Sequence, residues 1–435
     1  MKYVGELLAY EVGLLIKPST PAINYKKLPN YEWRASASRE VAQESHRRFA
    51  AQLPVLRSNT LLQKQKCVKK VGVSMQSSNL HGGDLDELSR VYGIDKNKIM
   101  NFSGNVNPLG LPESVKRAIA KNVDIATGYP DVSYRELREA IAQYTGAKAE
   151  HIIAGNGSTE LITGFIKAVM PKKAVIQEPA YSEYLRILEQ VGCQTALSPL
   201  NADKNFIPDI NDLPLTDDVD MVVVCNPNNP TGTYLTAAQI AELAEKCKKT
   251  GAFIMIDETY VEFADTKKHI SAVELTDRFD NIGVIRGTSK FFACPGLRLG
   301  YGISGNKAIL EKVNQNRDLW SVNVYAELAG KVMFTDTDFI EKTRTLINTE
   351  RARMEEELGK IQGLKLFGTQ SNFFLAKIEN KNITSKDVFL NLLKKNILIR
   401  DAENFPFLDE SYIRFCILSP EENDMLIKNL KEIFK

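Results

Sequence analysis

A chain of 435 residues with 43% hydrophobic side chains can bury a large core, as one large unit or two domains. Its formal net charge of +2 gives no electrostatic reason to bind nucleic acid, and no apolar run is long enough to cross a bilayer. The six cysteines (Cys67, Cys193, Cys225, Cys247, Cys294, Cys416) include no C-x-x-C pair, and His46, His81, His151 and His269 are dispersed. Neither a disulfide framework nor a metal site is expected, and a reducing cytoplasm is.

Charge is unevenly spread. Met1–Ser74 carries thirteen Lys/Arg against five Glu and no Asp, a local net charge of +8, so the rest of the chain is acidic. The stretch holds Pro18, Pro21, a Ser/Ala/Arg run at Arg34–Arg39 and one short amphipathic run at Glu6–Ile16. Its makeup is similar to an organellar transit segment, against which the five glutamates speak, and it has no secretory cleavage pattern. The expectation for 1–74 is a basic, poorly ordered extension, with Met75 as a candidate start.

From Leu80 onward short apolar runs alternate with amphipathic segments. In chain order, strands are expected at Ile152–Ala154, Ala174–Ile176, Met221–Cys225, Phe253–Ile256 and Ile282–Ile285, and helices at Thr159–Met170, Tyr181–Val191 and Ala237–Thr250. Apolar runs of this length between helical patterns read as buried parallel strands in βαβ units. A long helical pattern follows over Lys307–Phe334 and then Phe339–Leu358. Strands at Phe373–Ala376 and Ile413–Ile417 belong to a final α+β portion.

The chemistry-bearing residues stand just after strands, where ligands of open α/β sheets bind. Gly155-Asn-Gly157-Ser158-Thr159-Glu160 opens a helix whose first amides suit a phosphate, although a plain capped turn would read the same way. It is neither a dinucleotide G-x-G-x-x-G nor a P-loop. Asp257 ends a wholly apolar strand, as a helix cap or as a buried carboxylate paired with a cationic ring nitrogen. Tyr260 could reach the same ring if the turn is helical. Asn229, in Asn226-Pro-Asn-Asn229-Pro-Thr-Gly232, is a turn residue by default or an amide donor to a phenolate oxygen. Lys290, in Arg286-Gly-Thr-Ser-Lys290 followed by Arg298, has the setting that Schiff-base chemistry with an aldehyde cofactor requires.

Together these residues resemble the class I/II aminotransferases among the fold-type I pyridoxal-phosphate enzymes, from about Leu80 to Lys435. The resemblance implies an α/β fold with a large, mostly parallel-sheet domain and a smaller C-terminal α+β domain. Residues 75–125 would pack with the small domain, 126–305 form the large cofactor-binding domain and 306–435 the small one. It further implies that Lys290 bonds the aldehyde of pyridoxal 5'-phosphate and that Asp257 pairs with the pyridine nitrogen. Asn229 and Tyr260 would contact the ring oxygen, Tyr181 would stack on the ring, and Gly157, Ser158, Thr159 and Arg298 would hold the phosphate. Tyr129, in Gly-Tyr-Pro-Asp, would reach that phosphate from a neighbouring subunit, which implies a homodimer. One departure stands at Gly287, where the family has Ser or Thr; Thr288 or Ser289 is expected to compensate.

His81-Gly-Gly, Asn101-Phe-Ser-Gly-Asn105-Val-Asn107-Pro-Leu-Gly110 and Ile397-Leu-Ile-Arg400-Asp-Ala-Glu-Asn-Phe405 are similar to the L-threonine O-3-phosphate decarboxylases of cobalamin biosynthesis, relatives of the histidinol-phosphate aminotransferases. By that resemblance Arg400, Arg414, His81 and Asn107 bind a phosphorylated amino-acid substrate, and the reaction is decarboxylation, with transamination or L-serine phosphate as alternatives. A regulator with a DNA-binding head is the rival from another class. Met1–Ser74 shows no helix-turn-helix pattern to support it.

Overall fold

Apolar segments that alternate with amphipathic ones bury their faces by stacking helices on a sheet. The computed structural model describes residues 84–435. The basic extension, the run Glu6–Ile16, Met75 and His81 lie outside them. The strands, in chain order, are β1 (Met100–Asn101), β2 (Ile152–Gly155), β3 (Lys173–Glu178), β4 (Gln194–Pro199), β5 (Met221–Cys225), β6 (Phe253–Asp257), β7 (Ile282–Gly287) and β8 (Gly300–Ile303). They continue as β9 (Leu364–Leu366), β10 (Phe373–Ile378), β11 (Ile397–Leu398), β12 (Arg400–Asp401) and β13 (Tyr412–Cys416).

Seven strands form one sheet in the order β2-β8-β7-β6-β5-β3-β4. The pairs β3/β4, β3/β5, β5/β6 and β6/β7 are parallel, as the unbroken apolar runs imply for strands covered on both faces. The sheet is mostly parallel, as expected, and the exception is β8, which runs antiparallel to both β2 and β7. Neither β8 nor β4 was expected. Two glycines interrupt the apolar run of β8, and β4 is an edge strand that is half exposed and mixed in polarity.

The reversal of β8 positions the site. The carboxyl ends Gly155, Glu178, Cys225, Asp257 and Gly287 share one edge, and antiparallel β8 begins there, with Gly300 paired to both Gly155 and Gly287. Gly300 is required by contact. A Cβ there would lie 2.7 Å from the Gly157 carbonyl carbon and 2.7 Å from the Ser158 nitrogen.

The long pattern Lys307–Phe334 is two helices, Lys307–Asn316 and Val324–Met333. Trp320 takes φ 57°, outside right-handed helix space, and Asn323 starts the second helix by accepting from the Ala326 amide at 2.9 Å. The next helix spans Thr337–Gly359 and begins at an Asp336 cap. No helix among the described residues is long and apolar enough to cross a membrane.

A second, antiparallel sheet, β12-β13-β10-β9, carries Arg400 and Arg414. The segment after β1 is tied to it, with the Cys416 amide donating to Phe102 O at 2.8 Å, while β1 itself pairs with β11 in a separate two-stranded sheet. Asn372 Nδ2 adds a bond to Asn105 O at 3.0 Å. Residues 102–107 thus lie between the two sheets.

The Gly300 contact yields a test. Gly300→Ala pushes backbone against backbone, which no rotamer can relieve, and overpacking of this kind costs about 1–3 kcal/mol. A urea melt should show that loss.

Candidate active site

Asp257 closes β6 and is buried. Its Oδ1 accepts from the Thr259 amide at 2.9 Å and the Thr259 hydroxyl at 2.6 Å, and its Oδ2 from the Tyr184 hydroxyl at 2.7 Å. Burial pushes the Asp257 carboxyl up, while the bonds from Thr259 and Tyr184 pull it back toward the ionised form. No cation among the described residues pairs with it. Tyr184 and Thr259, the side chains that hold this carboxylate, were missed by sequence reasoning. Tyr181 precedes the helix Glu183–Gln190 and Tyr184 lies in it, and the signal for Thr259 was an Asx-type turn two residues past the strand.

Lys290 lies in the single turn of helix Thr288–Phe291 that follows β7. Its Nζ donates to Gly104 O at 2.7 Å. Burial lowers its pKa to about 8, and the nearby Arg414 guanidinium adds to the effect, as does Arg298 more weakly. The turn is pinned from outside: the Asn107 amide donates to Lys290 O at 3.0 Å, and Asn107 Nδ2 to Phe291 O at 2.7 Å.

That arrangement corrects the expectation for Asn107 as a substrate ligand. Its Nδ2 is also bonded to Thr343 Oγ1 at 2.8 Å, and its Oδ1 accepts from the Leu109 amide at 3.0 Å. The side chain is buried and spent on holding the Lys290 turn. Asn105 instead faces the site. In the left-handed region at φ 54°, its Nδ2 donates to the Tyr260 hydroxyl at 3.3 Å, and its buried Oδ1 finds no partner among the described residues.

At the other end, helix Gly157–Val169 starts directly after β2. Gly157 has φ 77°, and a Cβ there would strike the Arg298 guanidinium. Arg298 reaches this spot because β8 starts beside β2; it also donates to Pro295 O at 3.2 Å. Ser158, Thr159 and an arginine therefore meet at one helix N-terminus, where the dipole and the exposed amides both favour an anion. Tyr181 shares a hydrogen bond with Thr159 and meets Tyr184 edge-on, with ring centroids 5.6 Å apart.

Gly287 is resolved by its neighbours. A Cβ there would sit 3.3 Å from Ser158 Oγ and 3.8 Å from Ser289 Oγ, so two hydroxyls flank the position where one was missing. Thr288 is not a substitute, because its hydroxyl donates to Leu299 O at 3.0 Å and accepts from Cys294.

Of the three asparagines in 226–229, two are structural. Asn226 bonds Leu235 and Ile270, and Asn228 bonds Pro179 and Thr231. Asn229 alone has its Oδ1 taken by Arg414, which leaves its amino group without an acceptor among the described residues. Arg414 also donates to Ser103 O at 2.9 Å and lies over the Phe373 ring, and its buried Nε has no partner among the described residues. Arg400 donates to Asn404 Oδ1 at 2.8 Å and lies over the Phe405 ring, 5.6 Å from its centroid. Tyr129 stands apart from this cluster, 80% exposed and against Trp320.

The sequence pattern described as aminotransferase class I and II matches residues 97–430. The chain belongs to the class I and II aminotransferase family. Within it, the chain is 35% identical to the threonine-phosphate decarboxylase of Salmonella typhimurium, over 82% of this chain and 97% of that protein. The crystal structure of the histidinol-phosphate aminotransferase from Clostridium acetobutylicum is 34% identical, with a TM-score of 0.71 over 76% of this chain and 98% of that one. The L-threonine-O-3-phosphate decarboxylase from Porphyromonas gingivalis has the same fold, at 24% identity and a TM-score of 0.69 over 76% and 98% of the two chains.

Class I and II aminotransferases use pyridoxal 5'-phosphate. The residues here fit it. An anion cradle too tight for a Cβ lies at one end, a buried carboxylate without a cationic partner lies below, and a lysine of lowered pKa stands beside them.

The Lys290 shift gives a pH prediction. Its pKa in the fold, about 8, lies below its ordinary value of 10.5, so the unfolded chain holds the proton more tightly. The cost of the buried charge is then present in full below pH 8 and fades as pH rises through 10.5. In cofactor-free protein, the stability of Lys290→Met relative to wild type should fall between pH 7 and pH 10. Equal urea midpoints shifts at both pH values would remove the buried-charge account.

Proposed function

We propose that the protein is a pyridoxal-phosphate-dependent decarboxylase. It converts L-threonine O-3-phosphate to (R)-1-amino-2-propanol O-2-phosphate for cobalamin biosynthesis, as a cytoplasmic homodimer. In this reading residues 126–305 are the cofactor-binding domain and 306–435 the small domain.

The observation that carries it is the register of β12 on β13, in which Arg400 stands directly opposite Arg414. Paired positions on antiparallel strands share a face, and like charges placed so repel each other. Burial, and then Arg414, lower the Arg400 pKa to about 10. Negative charge between them relieves that repulsion, and a substrate carrying both a carboxylate and a phosphate supplies it at both guanidiniums.

The cofactor, when bound, supplies an electron sink for the bond broken at the substrate Cα. Asp257, fixed by Tyr184 and Thr259, would pair with the ring nitrogen. Asn229, with its oxygen engaged by Arg414, would present its amino group to the ring oxygen. Arg400 and Arg414 hold the substrate anions and so decide which Cα bond is aligned for cleavage. With the carboxylate bond aligned, Lys290, whose pKa is lowered to about 8, would return a proton to Cα in place of the carboxylate lost as CO2. Tyr129, Trp320 and Leu319 are exposed on one stretch of surface, which supports a second subunit packing there.

Loaded protein given L-threonine phosphate should release CO2 with no oxo acid added. Lys290→Ala should lose both the cofactor absorbance band and turnover. Arg400→Ala and Arg414→Ala should each lower kcat/KM by roughly 10- to 100-fold, the loss expected for a charged hydrogen bond. A requirement for an oxo acid, with a keto product, would make the protein an aminotransferase. Sedimentation of wild type at the monomer mass would remove the homodimer.

A further inference from the structure

The two sheets meet at a small apolar cluster outside the site. It is built from Leu200 and Phe206 on the large-sheet side and from Phe367, Leu375, Ala402 and Tyr412 on the small-sheet side. Phe206 is its centre. The ring is 1% exposed and lies edge-on to Phe367 at 4.8 Å and to Tyr412 at 6.0 Å. It is delivered by an unusual backbone: Asn205 has φ 52° and Phe206 φ 55°, two successive left-handed residues, neither of them glycine. A bulky residue held there costs of order 1–3 kcal/mol, so the surrounding contacts must over-determine it.

Those contacts run in both directions. Toward the large sheet, Phe206 O accepts from Thr233 Oγ1 at 2.8 Å, in the turn that carries Asn229. Toward the small sheet, Phe405 and Leu408 pack against the cluster, and the loop they belong to is tied by Phe405 N to Ala402 O and Leu408 N to Phe405 O. The Arg400 guanidinium lies on the face of Phe405 and is bonded to Asn404 in the same loop.

We propose that Phe206 is a positioning residue for Arg400: it fixes the 402–408 loop against the large sheet, and through Phe405 it sets where the Arg400 guanidinium stands. This rests on the reading that Arg400 holds a substrate anion. Lys290 and Asp257 are held by other groups, Gly104, Tyr184 and Thr259, so loss of Phe206 should act on substrate binding and leave the proton-moving groups in place.

The test compares Phe206→Ala, Phe206→Leu and Asn205→Gly in the full-length, cofactor-loaded protein. Asn205→Gly keeps the ring and relieves the backbone. Two readouts are taken: KM and kcat for L-threonine phosphate, and amide hydrogen exchange at Ala402, Phe405 and Leu408 against the β5 and β6 amides. Phe206→Ala should raise KM about 10-fold with kcat within about 3-fold of wild type, since misplacing a binding group is felt in the complex it holds. Phe206→Leu should fall between, Asn205→Gly should match wild type, and exchange should quicken in 402–408 while β5 and β6 stay protected. An unchanged KM with unchanged exchange overturns the proposal, as does quickened exchange throughout β5 and β6, which would mark a general packing role. If Phe206→Ala does not fold, Phe206→Leu decides by the same criteria. A wild type that leaves L-threonine phosphate untouched overturns the functional reading, and the exchange comparison then still decides the role of Phe206.

Discussion

Positive charge gathered in a buried place is the constraint on which the site depends. The buried Arg414 guanidinium acts on the buried Lys290, with Arg298 adding more weakly from an exposed position, and the Asp257 carboxylate is occupied by Tyr184 and Thr259. Excess like charge in a poorly solvated space raises the free energy of every protonated state, and lysine is the member that can give up its proton. The arginines remain charged and Lys290 becomes the group poised to exchange a proton near neutral pH. An anionic ligand lowers the energy of the whole set, so binding and proton inventory are coupled.

Keeping that charge buried requires scaffolding that spends little of it. Below the site, Glu258 and Arg286 neutralise each other, with Arg286 donating to Glu258 Oε2 at 3.0 and 2.8 Å, and Ser271 completes the set. Around Arg414 the partners are neutral: Asn229 Oδ1, the Ser103 carbonyl and the face of Phe373. Neutral partners orient a guanidinium without cancelling its charge. The segment 102–107 is the shared wall of this arrangement. It offers the Ser103 and Gly104 carbonyls to Arg414 and Lys290, and it is itself fastened by Asn372 and by Asn107.

Much of this could be read from the chain alone, and for reasons that are local. Continuous apolar runs such as Met221–Cys225 and helices with clear ends such as Ala237–Thr250 coincide with the elements found, because burial on both faces and a complete capping box leave little freedom. What escaped was set by distant contact. β8 was hidden by two glycines, Gly300 making room for Gly157 and Ser158 and Gly302 for the Phe165 ring. The break at Arg317–Asn323 follows no proline or glycine and is visible only in the Trp320 backbone. In the site, Asn105 and Asn107 sit two apart in the same motif. Only the fold shows that one points to Tyr260 and the other into the Phe291 turn. His81 lies outside the described residues.

The glycine contact between β8 and the helix Gly157–Val169 also acts as a ruler. Sliding β8 by one residue would carry Arg298 about 3.3 Å along the strand and turn its neighbours to the opposite face. The residue then meeting Ser158 would be Leu299 or Tyr301, both large and both buried where they stand. A partial slip therefore has no low-energy form. The guanidinium at the helix terminus is located in whole-residue steps, and thermal motion of the sheet cannot detune it gradually.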